Sequence, residues 1–423
     1  MNYSIISYGS RGDVQPYIAL SLELKKRGHV VTLLAPENFK EFVEGYGITF
    51  YPLRGNVQEI LYSEEALHVL KTGNNFSLFR YLKKKGASLQ KQVNEDILSG
   101  CKDANVLVTS FLQFMWVHSI AEKLGKKWAL LQLSLPTVPT REYPFAGFSL
   151  LNFPIYNIIT HKFIQHVHWL FFKKDINRFR LSIGLPALKK SIFTIMNDQR
   201  IPNLFAFSQC ILTRPKDWPE HTDITGFLSV PFDEKISHPM DEIPAGLKDW
   251  LLAGEKPIYI GFGSMPVPNP SLFSTILNDL VVTQKKRVVF CTGWSVIPNL
   301  PASGNLFVVK TINHEWLFQR CAAAVVHGGI GTLAACLKSG TPLIVASIFG
   351  DQPWLGDIIQ SKKMGTHIAF KKLTSKKILQ AIADSSAPGR KKNLMDISAE
   401  MKKDEGTEKA AAILEKYFGG LSA

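Results

Sequence analysis

Along this chain, short apolar runs alternate with segments of helical spacing, and a glycine usually stands where one gives way to the next. The start is apolar from Tyr3, with Ile5 to Tyr8 reading as a strand. Pro16 to Lys26 carries apolar residues at helical spacing and ends at Gly28; His29 to Leu34 is a second strand, Glu37 to Tyr46 a helix closed by Gly47, and Ile48 to Leu53 a third strand. Strand, helix and strand in repetition are the mark of a parallel sheet. The alternation resumes with a strand at Val106 to Thr109, a helix at Leu112 to Leu124 ended by Gly125, a strand at Trp128 to Leu133 and, after an insert rich in aromatics and prolines from Ser134 to Asn203, a strand at Leu204 to Leu212.

From about Val230 to Pro244 the chain is proline-rich, acidic and aperiodic, which reads as a linker. A second alternating half follows, with strands at Pro257 to Gly261, Arg287 to Cys291, Leu306 to Val309, Ala323 to Val326, Pro342 to Ala346 and His367 to Phe370. Its helices fall near Ser271 to Thr283, Thr332 to Ser339, Gln352 to Lys362 and Ser375 to Asp384, and two more occupy Lys391 to Phe418. At 423 residues the chain exceeds what one hydrophobic core serves. The expected fold is therefore α/β, with two doubly wound, Rossmann-like domains over 1–229 and 247–390, a linker over 230–246 and terminal helices over 391–423. Ligands of such sheets bind at the carboxyl ends of the strands, so two facing domains imply a cleft.

A hydrophobic content of 46% against 20% charged residues is that of a folded globular protein. The formal charge of +14 comes from dispersed lysines and arginines, which read either as solvated helix faces or as attraction to anionic lipid or substrate. No nucleic-acid-binding signature accompanies it. Five cysteines, an odd number in mostly apolar surroundings without Cys-x-x-Cys pairing, point to a reducing compartment. With no basic-then-apolar leader the expected location is the cytoplasm. The aromatic stretch Phe148 to Phe172 is broken by His161, Lys162, Gln165, His166 and His168, and is a poor transmembrane span.

The most telling short motif is Val325-Val326-His327-Gly328-Gly329-Ile330-Gly331-Thr332, a strand running through glycines into a helix. Glycines let backbone amides approach an anion, and the amide end of a helix favours a phosphate. A tight structural turn with His327 merely hydrogen-bonded is the other reading. Gly261-Phe262-Gly263-Ser264 repeats the theme after another strand, as a phosphate loop or a plain turn before Pro266. Asp351-Gln352 is either the start of a helix or a polar pair for sugar hydroxyls. In Gly9-Ser10-Arg11-Gly12-Asp13, Asp13 is either a near-cap residue or a general base taking the proton of a hydroxyl. No Asp-x-Asp and no His/Cys cluster of ligand spacing occurs, so no metal is expected and a diphosphate leaving group would rest on amides, Ser264 and His327.

These motifs resemble those of the inverting, nucleotide-sugar-dependent glycosyltransferases of family one with the GT-B fold, in the branch of the sterol 3-beta-glucosyltransferases and antibiotic glycosyltransferases. The resemblance rests on Gly9 to Pro16, on Arg214-Pro215-Lys216-Asp217-Trp218-Pro219 with Thr225-Gly226, on Ile258 to Met265, and on His327 to Thr332 leading to Gly350-Asp351-Gln352-Pro353, with a weaker echo at Pro136-Thr137 and Thr140 to Pro144. It implies Asp13 as the base and Ser10 and Arg11 facing the donor. It further implies a diphosphate held by Gly263, Ser264, His327, Gly329 and the amides around Ile330, Gly331 and Thr332, with a hexose on Asp351 and Gln352. Ile312, His314 and Trp294 would lie against the nucleoside, and the terminal helices would pack back on the N-terminal, acceptor-binding domain. Plant members of the wider family have a histidine base, a tryptophan on the uracil and a glutamate on the ribose; the positions here are Asp13, Thr311 and Ala335.

The implied activity is transfer of a hexose, glucose from UDP-glucose, to a hydroxyl of a lipophilic acceptor, with the UDP-sugar as co-substrate and no cofactor. A nucleotide-sugar epimerase or hydrolase, and a non-catalytic sugar-nucleotide-binding module, are the alternatives. Phe145, Phe148, Phe153, Tyr156, Phe163, Trp169, Phe171 and Phe172 can line an acceptor pocket, pack the domain core, or meet an anionic membrane beside Lys162, Lys173 and Lys174.

Overall fold

A computed structural model describes residues 1–72, 75–133, 136–230 and 243–420. The expected linker falls mostly on 231–242, which lie outside the described residues, as does Ser134 at the start of the insert. The chain divides into two compact units: one comprises Met1–Asn56, Gly86–Val230 and Glu405–Ala423, the other Val57–Lys85 and Pro231–Asp404. Residues 57–85, which follow the third strand, are thus counted with the second unit, and the last helix with the first.

The first unit is built on seven parallel strands in the order β3-β2-β1-β4-β5-β6-β7. These are β1 (Asn2–Ile6), β2 (Val30–Pro36), β3 (Thr49–Leu53), β4 (Val106–Thr109), β5 (Lys127–Gln132), β6 (Asn203–Phe205) and β7 (Thr222–Ile224). Tyr3, Ile5, Ile6 and the whole of β4 are buried, as expected of strands covered by helices on both faces. Tyr3 pairs with Val31 on one side and with Val106 on the other, which puts β1 at the point where strand order reverses. The covering helices include α1 (Arg11–Lys26), α2 (Lys40–Glu44), α6 (Phe114–Leu124), α7 (Pro154–Ser182) and α8 (Ile192–Asp198). Between β3 and β4, α3 (Val57–Leu61), α4 (Glu64–Thr72) and α5 (Asn75–Gly100) fill the stretch in which the alternation is not legible; α3, α4 and the first part of α5 are counted with the second unit.

Several stretches differ from their expected form; the strand expected at His367 to Phe370 lies at Gly365–His367, and Phe370 instead opens a short 3-10 turn. The strand expected at Leu204 to Leu212 is only three residues long, because after Phe205 the chain leaves the sheet for a turn in which Ile211 and Leu212 bond back to the Ser208 carbonyl. The aromatic insert contains the 29-residue helix α7, which reaches the core through Trp169 and Ile176. Arg180 on α7 is 1% exposed and makes a bidentate pair with Glu122 of α6 at 2.8 and 3.0 Å. The motif Arg214 to Pro219 is structural: Arg214 donates to the carbonyls of Trp218, Pro219 and Thr222, while the Asp217 carboxylate accepts from Thr140 Oγ1 at 2.6 Å and the Arg141 amide at 2.7 Å.

The second unit has six parallel strands in the order β10-β9-β8-β11-β12-β13, namely β8 (Ile258–Gly261), β9 (Val288–Cys291), β10 (Leu306–Val309), β11 (Ala323–Val326), β12 (Leu343–Val345) and β13 (Gly365–His367). Its order reverses between β8 and β11, where Gly261 is in register with Val326. The helices are α9 (Leu247–Leu252), α10 (Pro270–Asn278), α11 (His314–Phe318), α12 (Ile330–Ser339), α13 (Gln352–Ser361), α14 (Ser375–Ser385) and α15 (Pro388–Met401). Of the two terminal helices, α15 bonds to the second unit, with Ser398 Oγ on the Lys338 carbonyl at 2.6 Å. The last, α16 (Gly406–Phe418), bonds to the first, through Glu415 with Arg27 and His29, each at 2.9 Å, and Lys409 on the Ile224 carbonyl at 2.6 Å.

Candidate functional site

Both reversal points carry the glycine loops singled out in the sequence, and ligands of doubly wound sheets bind at such points. In the first unit the loop after β1 ends at Ser10, whose extended backbone starts α1. Asp13, in the first turn, accepts from the Ser10 amide at 2.7 Å and from Ser10 Oγ at 2.9 Å, both on Oδ2. The near-cap role is therefore present, yet it occupies one oxygen only: Oδ1 takes no hydrogen bond from the described residues. Asp13 remains partly exposed, and burial of its surroundings raises its pKa above the ordinary carboxylate value, against the lowering by Ser10. Gly9 makes the arrangement possible, since a Cβ there would stand 2.3 Å from Oδ2. Arg11 lies aside, its guanidinium 4.8 Å from the centre of the Phe42 ring and its Nε bonded to Gln15.

In the second unit, β11 delivers His327 to the start of α12. Gly329 caps that helix, and the first intrahelical bond runs from the Leu333 amide to the Gly329 carbonyl, so the amides of Ile330, Gly331 and Thr332 come before the ladder begins. The His327 ring lies against this turn: a Cβ on Gly329 would be 2.4 Å from Nε2, and one on Gly263 would be 3.3 Å from Cε1. Burial pushes His327 down to about 4, so the ring is neutral, and Nδ1 is buried without a hydrogen-bond partner among the described residues. A neutral ring donates through one nitrogen and adds no full charge. Ser264 follows Gly263, partly exposed.

The structure thus gathers Gly263, His327 and Gly329 to Thr332. The Gly263 carbonyl accepts from the Trp294 amide at 3.2 Å, which brings Trp294 to the same strand ends, its ring edge-on to Tyr62. Ile312 is buried. His314 is turned inward: its ring stacks on Phe318 with centroids 4.8 Å apart, and its Nε2 meets the Tyr259 hydroxyl at 2.9 Å. Asp351 is the cap residue of α13, and Gln352 is buried with Oε1 accepting from the amides of Ile348 at 2.8 Å and Phe349 at 3.2 Å. Its carbonyl end therefore shapes the loop after β12.

Sequence reasoning missed a relay behind that loop. Ser347 Oγ is 2.8 Å from His367 Nε2, and His367 Nδ1 is 2.8 Å from Asp357 Oδ1. The three residues lie after β12, at the end of β13 and in α13, so no local motif announces them; only the place of Ser347 and His367 at strand ends is legible. Among the described residues no group of three His, Cys, Asp or Glu side chains is placed to hold a metal. Of the aromatic insert, Trp169 is buried and Phe172 packs against the core, whereas Phe153 and Phe163 are exposed.

The sequence model of the glycosyltransferase family 28 N-terminal domain matches residues 3–127, and that of UDP-glucoronosyl and UDP-glucosyl transferase matches residues 253–410. Among characterised proteins, the sterol 3-beta-glucosyltransferase UGT80A2 of Arabidopsis thaliana is 29% identical over 99% of this chain and 66% of its own length. A sterol 3-beta-glucosyltransferase of Leptosphaeria maculans is 29% identical over 96% of this chain and 28% of its own. The chain thus spans about two thirds of one relative and about a quarter of the other. Among solved structures, the glycotransferase of kitacinnamycin aligns with a TM-score of 0.68 at 17% identity over 98% of both chains. The glycosyltransferase VinC in complex with DTDP aligns with a TM-score of 0.68 at 14% identity, over 99% of this chain and 100% of its own. At such identities the structural likeness concerns the fold.

Proposed function

We propose that this chain is a glycosyltransferase of GT-B fold that transfers a hexose, glucose from UDP-glucose, to a hydroxyl of a lipophilic acceptor with inversion at the anomeric carbon. The observation that carries the donor half is the turn at His327, where three amides without a partner among the described residues, at the head of a ten-residue helix, adjoin a neutral, buried imidazole. Amides aimed at a developing negative charge stabilise a departing diphosphate without solvent reorganisation. The Ser264 hydroxyl joins them. Asp351 and Gln352 address the hexose from the loop and cap of α13, and Trp294, Ile312 and the His314 backbone address the nucleoside.

Asp13 is the base. Oδ2 is anchored on Ser10, and Oδ1 accepts the proton of the acceptor hydroxyl as that oxygen attacks the anomeric carbon and the UDP oxygen leaves with the bonding pair. The raised pKa brings the carboxylate toward the range in which a base works well. The charge of the leaving group is met by amides, Ser264 and His327, so the step needs no metal. A sterol-like acceptor is favoured by the names of the relatives. The test is a donor-by-acceptor screen read by mass spectrometry and by the anomeric coupling constant of the product, with an acceptor-free control. Isomerised or hydrolysed donor in that control, or no product with any sterol, polyketide or polar lipid, overturns the reading.

A further inference from the structure

The outer side of α7 carries an apolar strip, beside the exposed Lys162 and His166, where a water-facing helix is normally polar. Ile155, Ile159, Phe163, Val167 and Leu170 are 42–70% exposed, and their spacing of four, four, four and three residues puts them along one side. Asn157, Thr160, His161, Trp169 and Ile176, on the other side, are buried. The buried side thus mixes polar and apolar residues, and the exposed strip is at least as apolar as the side that meets protein. The strip continues into the preceding loop, where Leu150 is 94% exposed and Leu151 and Phe153 about half. Contiguous apolar surface of this extent marks an interaction site.

Charge selects the occupant. From Tyr143 to Lys174 the chain contains Lys162, Lys173 and Lys174 and no aspartate or glutamate. Among the described residues these lysines form no ion pair with a carboxylate. Two copies docked through this strip would bring like charges together. Among the described residues no helix is long and apolar enough to cross a membrane. A helix lying in the interface, apolar side inward and lysines at the headgroups, satisfies all of these features.

We propose that the outer side of α7 and the loop 148–153 form a docking surface for an anionic lipid bilayer, on which the protein rests without spanning it. The inference rests on the proposed function for its purpose, since a lipophilic acceptor is drawn from a bilayer. Its physical content is separate. The full chain is mixed with vesicles of phosphatidylcholine alone and of phosphatidylcholine with about a third phosphatidylglycerol, and bound protein is measured by flotation.

Wild type should bind the anionic vesicles and lose them as salt rises. With roughly a fivefold effect per lysine near the surface, Lys162→Ala/Lys173→Ala/Lys174→Ala should weaken partitioning about a hundredfold. Ile159→Asp/Val167→Asp should weaken it on both vesicle types with an unchanged circular dichroism spectrum. Equal binding to the two vesicle types, or variants that bind as wild type does, would overturn the proposal. So would a wild-type dimer in analytical ultracentrifugation that the Ile159→Asp/Val167→Asp variant converts to monomer. Sugar transfer to an acceptor dispersed in detergent should be the same in wild type and both variants. Its absence in all three would count against the transferase reading and leave the binding result standing.

Discussion

Gly9→Ala tests Asp13 as a base while leaving every polar group of the loop in place. A methyl at residue 9 would lie 2.3 Å from Asp13 Oδ2 and 2.5 Å from its Cγ, and the φ of +152° suits glycine far better than alanine. The carboxylate must swing away and give up the Ser10 amide and hydroxyl that hold it at 2.7 and 2.9 Å. Hydrogen bonds to charged groups contribute about 1.5–3 kcal/mol each, and because Asp13 is partly exposed, water recovers much of this; a stability loss of about 2 kcal/mol is expected. A base misplaced by about 1 Å costs ~100-fold in rate, and removing it in Asp13→Asn costs about 10²- to 10⁴-fold. The assay is turnover at saturating donor and acceptor for both single variants and the double, with UDP affinity by calorimetry as control. If Gly9 acts only through the carboxylate, the double variant is no slower than Asp13→Asn. Losses that multiply, or Gly9→Ala within about threefold of wild type, would refute the reasoning.

The same carboxylate sets the pH dependence. As the proposed base it would work ionised, so kcat/KM should rise with pH through its raised pKa and level off above it. For stability the sign is opposite. A carboxyl that binds its proton more tightly folded than unfolded favours the folded state at low pH, and this is lost as pH rises through the folded value. Asp13→Asn should therefore keep or gain stability at neutral pH while losing turnover.

His327→Ala should weaken UDP binding by about tenfold, the worth of one hydrogen bond to a charged group. In wild type, UDP affinity should increase as pH falls, because the free ring titrates near 4 and a bound diphosphate raises that value; calorimetry across pH 5–8 that finds neither effect removes His327 from the phosphate site. His367→Ala cuts the relay between Ser347 and Asp357 and loosens the loop that carries Asp351 and Gln352, so KM for the sugar nucleotide should rise about tenfold while UDP affinity stays within about twofold. Equal changes in both would make the relay merely structural. Glu122→Gln leaves the buried Arg180 without its bidentate partner and should cost about 2 kcal/mol in denaturant unfolding. Because Arg180 holds the Glu122 carboxyl below its usual range, that contribution is present at neutral pH and should fade as pH falls through the lowered value.

What is legible follows from the kind of contact that each half of the proposed site would make. An anion bound by backbone amides requires a strand end, a close approach and a helix start, and these leave glycines at fixed places: His327 to Gly331 and Gly261 to Gly263 both fall where the strand order reverses. The boundaries moved for local reasons. The helix after Gly9 begins at Arg11 rather than Pro16, because Ser10 and Asp13 nucleate a turn that apolar spacing does not record. The helix α7 is legible only as an aromatic insert, because polar Asn157, Thr160, His161 and Arg180 are buried while apolar residues face outward, which erases the 3.6-residue period. Residues 57–100 and the relay of Ser347, Asp357 and His367 escaped because their partners are distant in sequence. Gln352 shows the remaining gap: the motif announced a polar side chain at the strand end, and only coordinates reveal that its carbonyl is committed to two loop amides. Recognition of a lipophilic acceptor depends on the volume left between side chains, and volume has no period and no motif.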